Sequence, residues 1–301
     1  MNVLVTGSSG FIASKVVARL RILGHSVTPF DIVEKKSILD LDQLETAIKE
    51  VDVVYHIAAQ ADLTQMSKSV DDGRRGVILN VTGTHNVAYL CAKHKKWMIY
   101  ASTVCVYGNQ DAFLESEDKT LPNPSELYAC SKYAGEWIVK GYGLNYDMPW
   151  TILRFATIYG EGMREALGLY IFFNQAIKGE PITVHGDGDQ VRTLTYIHDL
   201  VDGIVAPLDH PKAQGHIINL SSEEGISALK MAEDVKRITN SKSEIIFINQ
   251  RPNQTMNEHF DVSKAKNRLS WEARTSWNDG LKHTYEWILN EHSKTRVLSQ
   301  G

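Results

Sequence analysis

Asn2-Val-Leu-Val-Thr-Gly-Ser-Ser-Gly-Phe-Ile-Ala13 is the stretch that decides the fold. Residues 2–6 form a short apolar run closed by Gly7, which reads as a buried strand, and the pattern from Lys15 to Leu23 reads as a helix. A strand, a glycine turn and a helix in that order make the phosphate corner of a dinucleotide site. Gly7 permits the tight turn, and Gly10 lets the backbone approach a pyrophosphate at the positive helix end, with Phe11 and Ile12 after it as further cofactor contacts. Ala13 stands where a third glycine is usual and is small enough for close helix packing. A second strand, Ser26 to Phe30, ends in Asp31, where an acid hydrogen-bonds the adenosine ribose and repels a 2′-phosphate. That position favours NAD over NADP, with Lys35 and Lys36 placed on a solvated loop.

Outward from this corner the chain alternates strand and helix. Asn2–Thr6, Ser26–Phe30, Asp52–His56, Trp97–Ser102 and Thr151–Phe155 are the strand candidates, with helical patterns between them. The alternation predicts an α/β fold with a parallel, doubly wound sheet of Rossmann type. After Tyr159-Gly160 the texture changes to longer loops, including Gly186-Asp-Gly-Asp189, with helices near Ala228–Thr239 and Trp277–Asn290. This reads as a smaller α/β lobe, followed by a polar tail over 291–301.

Composition excludes several classes. A net charge of -4 gives no electrostatic footprint for nucleic acid. No apolar run approaches the roughly 18 residues of a membrane span, and the N-terminal strand, broken by Gly7, is not a signal peptide. The three cysteines form no C-x-x-C pair and suit a reducing cytosol, so a cytoplasmic protein is expected. The eleven histidines lack zinc spacing, so no metal is expected.

Chemistry first appears at Tyr128-Ala-Cys-Ser-Lys132. Residues four apart on a helix share a face, and an ammonium beside a phenol favours the phenolate. Tyr128 is therefore a candidate general base with Lys132 as its electrostatic partner. Any long surface helix can carry such a pair, so its weight comes from the other motifs.

Taken together, these residues resemble an extended short-chain dehydrogenase/reductase of the NAD-dependent epimerase/dehydratase group acting on nucleotide sugars. The resemblance runs from Val3 to about Trp287, with the motifs in the family's order. Asp40-Leu41 resembles the pair flanking the adenine, and His56-Ile-Ala-Ala59 the strand end beneath the cofactor, with His56 structural and Ala58 and Ala59 allowing close approach. Asn80-Val-Thr-Gly-Thr84 resembles a helix start of the family, and Tyr100-Ala-Ser-Thr-Val-Cys-Val-Tyr-Gly108 the strand carrying its catalytic hydroxyl, here Thr103. The resemblance implies NAD as cofactor and two lobes, 1–158 with 192–217 for the cofactor and 159–191 with 218–290 for the substrate.

It also implies a nucleotide-diphosphate sugar as substrate. Gly186-Asp-Gly-Asp-Gln-Val-Arg192 and Arg251-Pro252 resemble segments whose arginines meet the diphosphate and ribose, a role suited to the guanidinium fork. Two positions depart from the pattern. Thr157 replaces an asparagine but keeps one hydrogen bond for a phosphate, and Glu161 replaces a proline. His198-Asp199 resembles a structural pair.

The mechanism implied is removal of a hydroxyl proton by Tyr128, near Thr103, as hydride leaves the sugar carbon for the nicotinamide; a 4-keto sugar results. In 4-epimerases the ketone turns over and hydride returns to the other face. The family's 4,6-dehydratases carry Asp-Glu directly after the threonine and its decarboxylases a glutamate at the second place. Here Val104 and Cys105 stand there. The reading is thus a UDP-hexose 4-epimerase-like enzyme. Cys105 reads either as a small hydrophobe ending a buried strand or as an acid/base, which would make the chain a 3- or 5-epimerase, an unusual dehydratase or a 4-keto reductase. Cys91 and Cys130 read as packing residues. A noncatalytic NAD-binding module is the remaining alternative, against which the intact Thr103, Tyr128 and Lys132 set argues. The resemblance further implies a homodimer through the helices that follow Asn80 and bear Tyr128, with Tyr89, Leu90, Trp137 and Ile138 as apolar surface.

Overall fold

The computed structural model describes residues 1–109, 114–250 and 256–298. The chain begins with β1 (Asn2–Thr6), α1 (Phe11–Ile22), β2 (Ser26–Phe30), α2 (Leu41–Lys49) and β3 (Val53–His56). Helices α3 (Leu63–Ser67), α4 (Val70–Val77) and α5 (Gly83–Lys93) follow, then β4 (Trp97–Thr103), α6 (Leu127–Tyr146) and β5 (Trp150–Phe155). Next come β6 (Thr157–Tyr159), α7 (Gly168–Lys178), β7 (Ile182–His185), β8 (Val191–Tyr196), α8 (Ile197–Val205) and β9 (His216–Leu220). The rest is β10 (Gly225–Ser227), α9 (Ala228–Ile238), β11 (Ile245–Ile248), α10 (Ser263–Leu269) and α11 (Trp277–Leu298).

The chain divides into two compact units. The first holds Met1–Ala156, Val201–Leu220 and Asp261–Glu272 and is built on a six-stranded sheet in the order β2-β1-β3-β4-β5-β9, every pairing parallel. Parallel strands need crossovers, and helices on both faces bury the sheet. Every residue of β3 and of β4 is accordingly buried. At the β2 edge, Pro29 is tolerated because an outer strand loses no ladder bond there. One face of the core gathers Leu4, Leu44, Ile48, Val54, Val87, Leu90, Met98 and Ile152. Strand order reverses between β1 and β3, so the carboxyl ends of these two strands form the switch point at which ligands bind in doubly wound sheets.

The second unit holds Thr157–Leu200, Ser221–Phe260 and the chain from Ala273 onward. It contains a three-stranded sheet, β10-β8-β6, and a parallel pair, β11-β7. Phe173 stacks on Tyr285 with centroids 5.7 Å apart, and Trp277 Nε1 donates to Asp234 Oδ2 at 2.9 Å. A Cβ at Gly280 would fall 2.0 Å from the Tyr159 hydroxyl, so α11 lies against that ring only because the residue is glycine.

Several boundaries differ from the sequence reading. The chain re-enters the first unit at Val201 rather than at Arg192, because β8 pairs with β6 and β10. Residues 261–272 belong to the first unit: Asp261 N donates to Glu115 O at 2.8 Å, and Trp271 packs against Gly203. β9, absent from the sequence candidates, adds to the β5 edge. Helix α11 runs to Leu298, through the stretch read as a tail from 291. Among the residues offered as dimer surface, Leu90 is 1% exposed in the core, whereas Tyr89 and Trp137 are exposed.

Candidate active site

The glycine turn closes on the switch point. Gly7 has φ +70°, and a Cβ there would sit 2.7 Å from Ala58 Cα, so the ends of β1 and β3 approach to a distance only glycine allows. Gly10 is the N-cap of α1, and the helix start has neither a side-chain cap nor an acidic residue in its first turn. Its free amides and the positive helix end suit a diphosphate. Ser8 Oγ, in the same turn, is buried without a partner. At the end of β2, Asp31 is held by two backbone amides, Ser9 N to Oδ2 at 2.9 Å and Val33 N to Oδ1 at 3.0 Å. Lys36 is half-buried, engaged by Glu34 at 2.8 Å and by the Pro29 carbonyl. Phe11, Ile12, Ala58 and Ala59 are half-buried around the corner. Asp40 caps α2 through Gln43 N at 3.1 Å, and Leu41 beside it is exposed. The jammed glycine, the uncapped helix and the orphaned hydroxyl fit a dinucleotide diphosphate, with Asp31 suited to its ribose.

Beneath this corner runs a chain of buried polar groups. Thr84 Oγ1 donates to Asn80 O at 2.6 Å, so it accepts from His56 Nε2 at 3.0 Å; His56 Nδ1 then accepts from Thr6 Oγ1 at 2.8 Å. The imidazole is thus the neutral Nε2–H tautomer, and burial, with the Lys132 charge adding to it, lowers its pKa to about 3. Asn80 lies in a one-turn π-helical segment, Ile78–Thr82, a distortion that turns its amide into the site. Its Oδ1 accepts from Gln60 N at 2.8 Å, and its Nδ2 donates to Gln60 O at 3.0 Å and Ser131 Oγ at 2.9 Å. Ser131 Oγ donates in turn to Tyr128 O at 2.7 Å. Asn80 therefore ties the loop after β3 to the first turn of α6.

Helix α6 packs along β4 and on the turn after it. Its buried positions, Ala129, Ser131, Lys132, Gly135, Glu136 and Val139, recur every three or four residues, yet several are polar. Gly135 permits the approach, since a Cβ there would meet the Tyr100 hydroxyl at 2.3 Å. Tyr128 is half-buried and Lys132 is 2% exposed, on the same helix face. Lys132 Nζ lies 4.3 Å from the Tyr100 ring centroid. Burial lowers the Lys132 pKa to about 7, with Glu136 opposing. Thr103 ends β4, buried, its Oγ1 accepting from Cys105 N at 3.2 Å.

Glu136 is absent from the sequence candidates, although Tyr128, Lys132 and Glu136 follow one another at intervals of four. Its Oε1 accepts from Ser102 Oγ at 2.6 Å and Arg154 Nε at 2.9 Å, and its Oε2 from Arg154 Nη2 at 2.7 Å. Arg154 also stacks on the Tyr107 ring, whose hydroxyl donates to Asn219 Oδ1.

Two cysteine readings are corrected. Cys105 is exposed: the strand ends at Thr103, and the 3₁₀ turn Val104–Tyr107 carries the thiol out of the sheet, so it is not a buried hydrophobe. Cys130 is exposed as well, its thiol 3.5 Å from Pro124 O, rather than packed. Cys91 is buried, and burial pushes its thiol pKa up.

In the second unit, Thr157 opens β6 opposite Leu194 and is half-buried. Arg192, in β8, pairs through Nε with Glu258 Oε1 at 3.2 Å and donates from Nη1 to Val191 O at 2.8 Å. Glu161 accepts from the Tyr196 hydroxyl at 3.0 Å and pairs with His198. Asp199 accepts from the backbone of Arg274 and Thr275. Arg251 lies outside the described residues. Among the described residues, no group of three or more His, Cys, Asp or Glu is placed to hold a metal ion, and no helix is long and apolar enough to cross a membrane.

The comparisons agree with this geometry. The sequence model of the NAD dependent epimerase/dehydratase family matches residues 3–221. A UDP-N-acetyl-alpha-D-glucosaminuronate decarboxylase of Bacillus cytotoxicus is 33% identical, over 95% of this chain and 97% of its own length. Among solved structures, a UDP-glucose 4-epimerase of Thermotoga maritima with UDP-glucose is similar, with a TM-score of 0.89 and 28% identity over 97% of this chain and 100% of that one. A UDP-glucuronic acid 4-epimerase of Bacillus cereus with UDP-glucuronic acid and NAD has a TM-score of 0.89 and 29% identity over the same shares. The chain belongs to the NAD-dependent epimerase/dehydratase family of extended short-chain dehydrogenase/reductases.

Proposed function

We propose that the chain is an NAD-dependent UDP-hexose 4-epimerase. The observation that carries the reading is the placing of Tyr128 and Lys132 on one face of α6, against the strand that ends in Thr103, with no carboxylate at Val104 or Cys105. The dinucleotide, when bound at the glycine corner, supplies the hydride acceptor and later the donor. Tyr128 takes the proton from the sugar 4-hydroxyl as a general base and returns it in the second half of the reaction. Lys132, charged below its pKa of about 7, favours the phenolate in that form, and Thr103 shares the hydroxyl's hydrogen bond. Asn80 holds the start of α6, so the phenol stays aimed. Arg192, Arg251 and Thr157 are the proposed contacts of the diphosphate and ribose.

The decarboxylase relative supports the substrate class more than the outcome, because the glutamate that the decarboxylases of the family carry is Cys105 here. One observation favours a second reading: Cys105 is exposed next to Thr103, where a thiol could move protons at carbons beside a ketone. Incubation with UDP-galactose in deuterated water separates the two. The 4-epimerase yields UDP-glucose without carbon-bound deuterium, whereas ring deuterium that disappears in Cys105→Ser establishes the second reading. Tyr128→Phe lowers kcat about 1000-fold if it is the base; turnover near the wild-type rate refutes the assignment.

The helices α5 and α6 present Tyr89 and Trp137 outward, and we place a homodimer contact there. Two exposed thiols outside any disulfide, at Cys105 and Cys130, suit a reducing cytoplasm.

A further inference from the structure

Arg192, proposed above to receive the diphosphate, already has an anion of its own chain beside it. The amide of Val191 donates to Met256 O at 2.8 Å, which brings the residues just after Met256 beside β8. Two residues beyond Met256, Glu258 therefore faces Arg192, and Oε1 lies 3.2 Å from Nε. The pair is incomplete. Glu258 is 17% exposed, but its Oε2 is enclosed without any hydrogen-bond partner, and the Arg192 Nη1 is spent on its own strand's carbonyl. A carboxylate with one oxygen desolvated and unpaired is held weakly, since that oxygen bears the full desolvation cost. A diphosphate offers several charged acceptors to the same guanidinium.

We propose that Glu258 is a counter-ion built into the nucleotide-sugar site: it occupies Arg192 when no diphosphate is present and competes with the diphosphate for it, so setting substrate affinity. The proposal rests on the reading of Arg192 as the diphosphate receptor.

Competition of this kind depends on pH. Burial raises the Glu258 pKa to about 7, against the opposing charge of Arg192. Arg192 of β8 is the charged group that faces it; in its own segment the neighbouring titratable residue is His259, whose ring lies against Gly225 of β10. Below about 7 the carboxyl keeps its proton, Arg192 is released and anions bind tightly. As pH rises through that value, the carboxylate forms and competes.

The test is calorimetric titration with UDP-glucose, whose doubly esterified diphosphate does not change charge over this range. Affinity of the unmutated chain is expected to fall about tenfold between pH 6 and pH 8, one pH unit beyond a pKa being a factor of about ten. Glu258→Gln is expected to bind about tenfold tighter than wild type at pH 8 and to lose the pH slope. Arg192→Met is expected to bind weakly throughout. If Arg192→Met loses binding while Glu258→Gln gains none, the counter-ion role is refuted and the receptor reading stands. If Arg192→Met binds like wild type, or wild type does not bind at all, the receptor reading falls and the proposal with it. Should Glu258→Gln fail to fold, Glu258→Ala takes its place in the same titration: tighter binding than wild type at pH 8 supports the counter-ion, and no gain overturns it.

Discussion

The chain contains two arginine–glutamate pairs that look alike on paper and differ in kind. In the first unit, Arg154 and Glu136 are 2% and 1% exposed, and both carboxylate oxygens are used, one of them shared with Ser102. In the second, Arg192 and Glu258 are 21% and 17% exposed, joined at one distance of 3.2 Å, with Oε2 left unpaired. A buried pair whose carboxylate is fully used specifies one arrangement, even with Arg154 Nη1 left without a partner, because losing either residue strands a charge. A largely buried pair with one oxygen unpaired is displaceable by a ligand that offers the guanidinium better acceptors. The first braces the helix that carries Tyr128 and Lys132, one turn beyond the lysine; the second sits where an anion is expected to arrive.

The sharpest way to break this contrast is to remove each glutamate and measure unfolding in denaturant. Glu136→Ala should cost about 3–5 kcal/mol, because Arg154 is left buried and uncompensated. A loss below about 1 kcal/mol would show the first pair to be as loose as the second.

His56 sharpens the comparison by pH. Its folded pKa of about 3 lies below the ordinary 6.5, so the stability it contributes is present above 6.5 and is lost as pH falls towards 3. The slope contributed approaches about 1.4 kcal/mol per pH unit over that window. Melting temperatures at pH 7.5 and 5 should therefore separate for wild type and converge for His56→Asn. A separation undiminished in the variant would assign the acid sensitivity elsewhere.

The smallest effect is expected in the second pair. Glu258→Gln should change stability by less than about 1 kcal/mol in either direction at pH 7. A loss comparable with that of Glu136→Ala would make Glu258 a structural anchor rather than a displaceable anion.

Much of the first unit is legible in sequence because its signals are local. β1 and β2 have the bounds read from their apolar runs, and β3, β4 and β5 shift by a residue at one end. Gly7, Gly10 and Asp31 are recognisable because a turn, a helix start and a strand end follow one another within 30 residues. β9 was not legible: its five residues gain their meaning from the β5 edge, more than 60 residues away. Cys105 misled for a related reason, since an apolar run does not show where a strand stops and a 3₁₀ turn begins.

Helix and strand periodicity, together with the backbone demands of glycine, belong to neighbours along the chain, so sequence alone determined the doubly wound fold, the dinucleotide corner and the Tyr128–Lys132 face. The tie from Asn80 to Ser131, the clamp of Arg154 on Glu136, the neutral His56 and the pairing of Arg192 with Glu258 join residues 18 to 66 positions apart. Tertiary structure alone decided these, because a charge takes its partner from whatever packing brings within reach, and packing is a property of the whole chain.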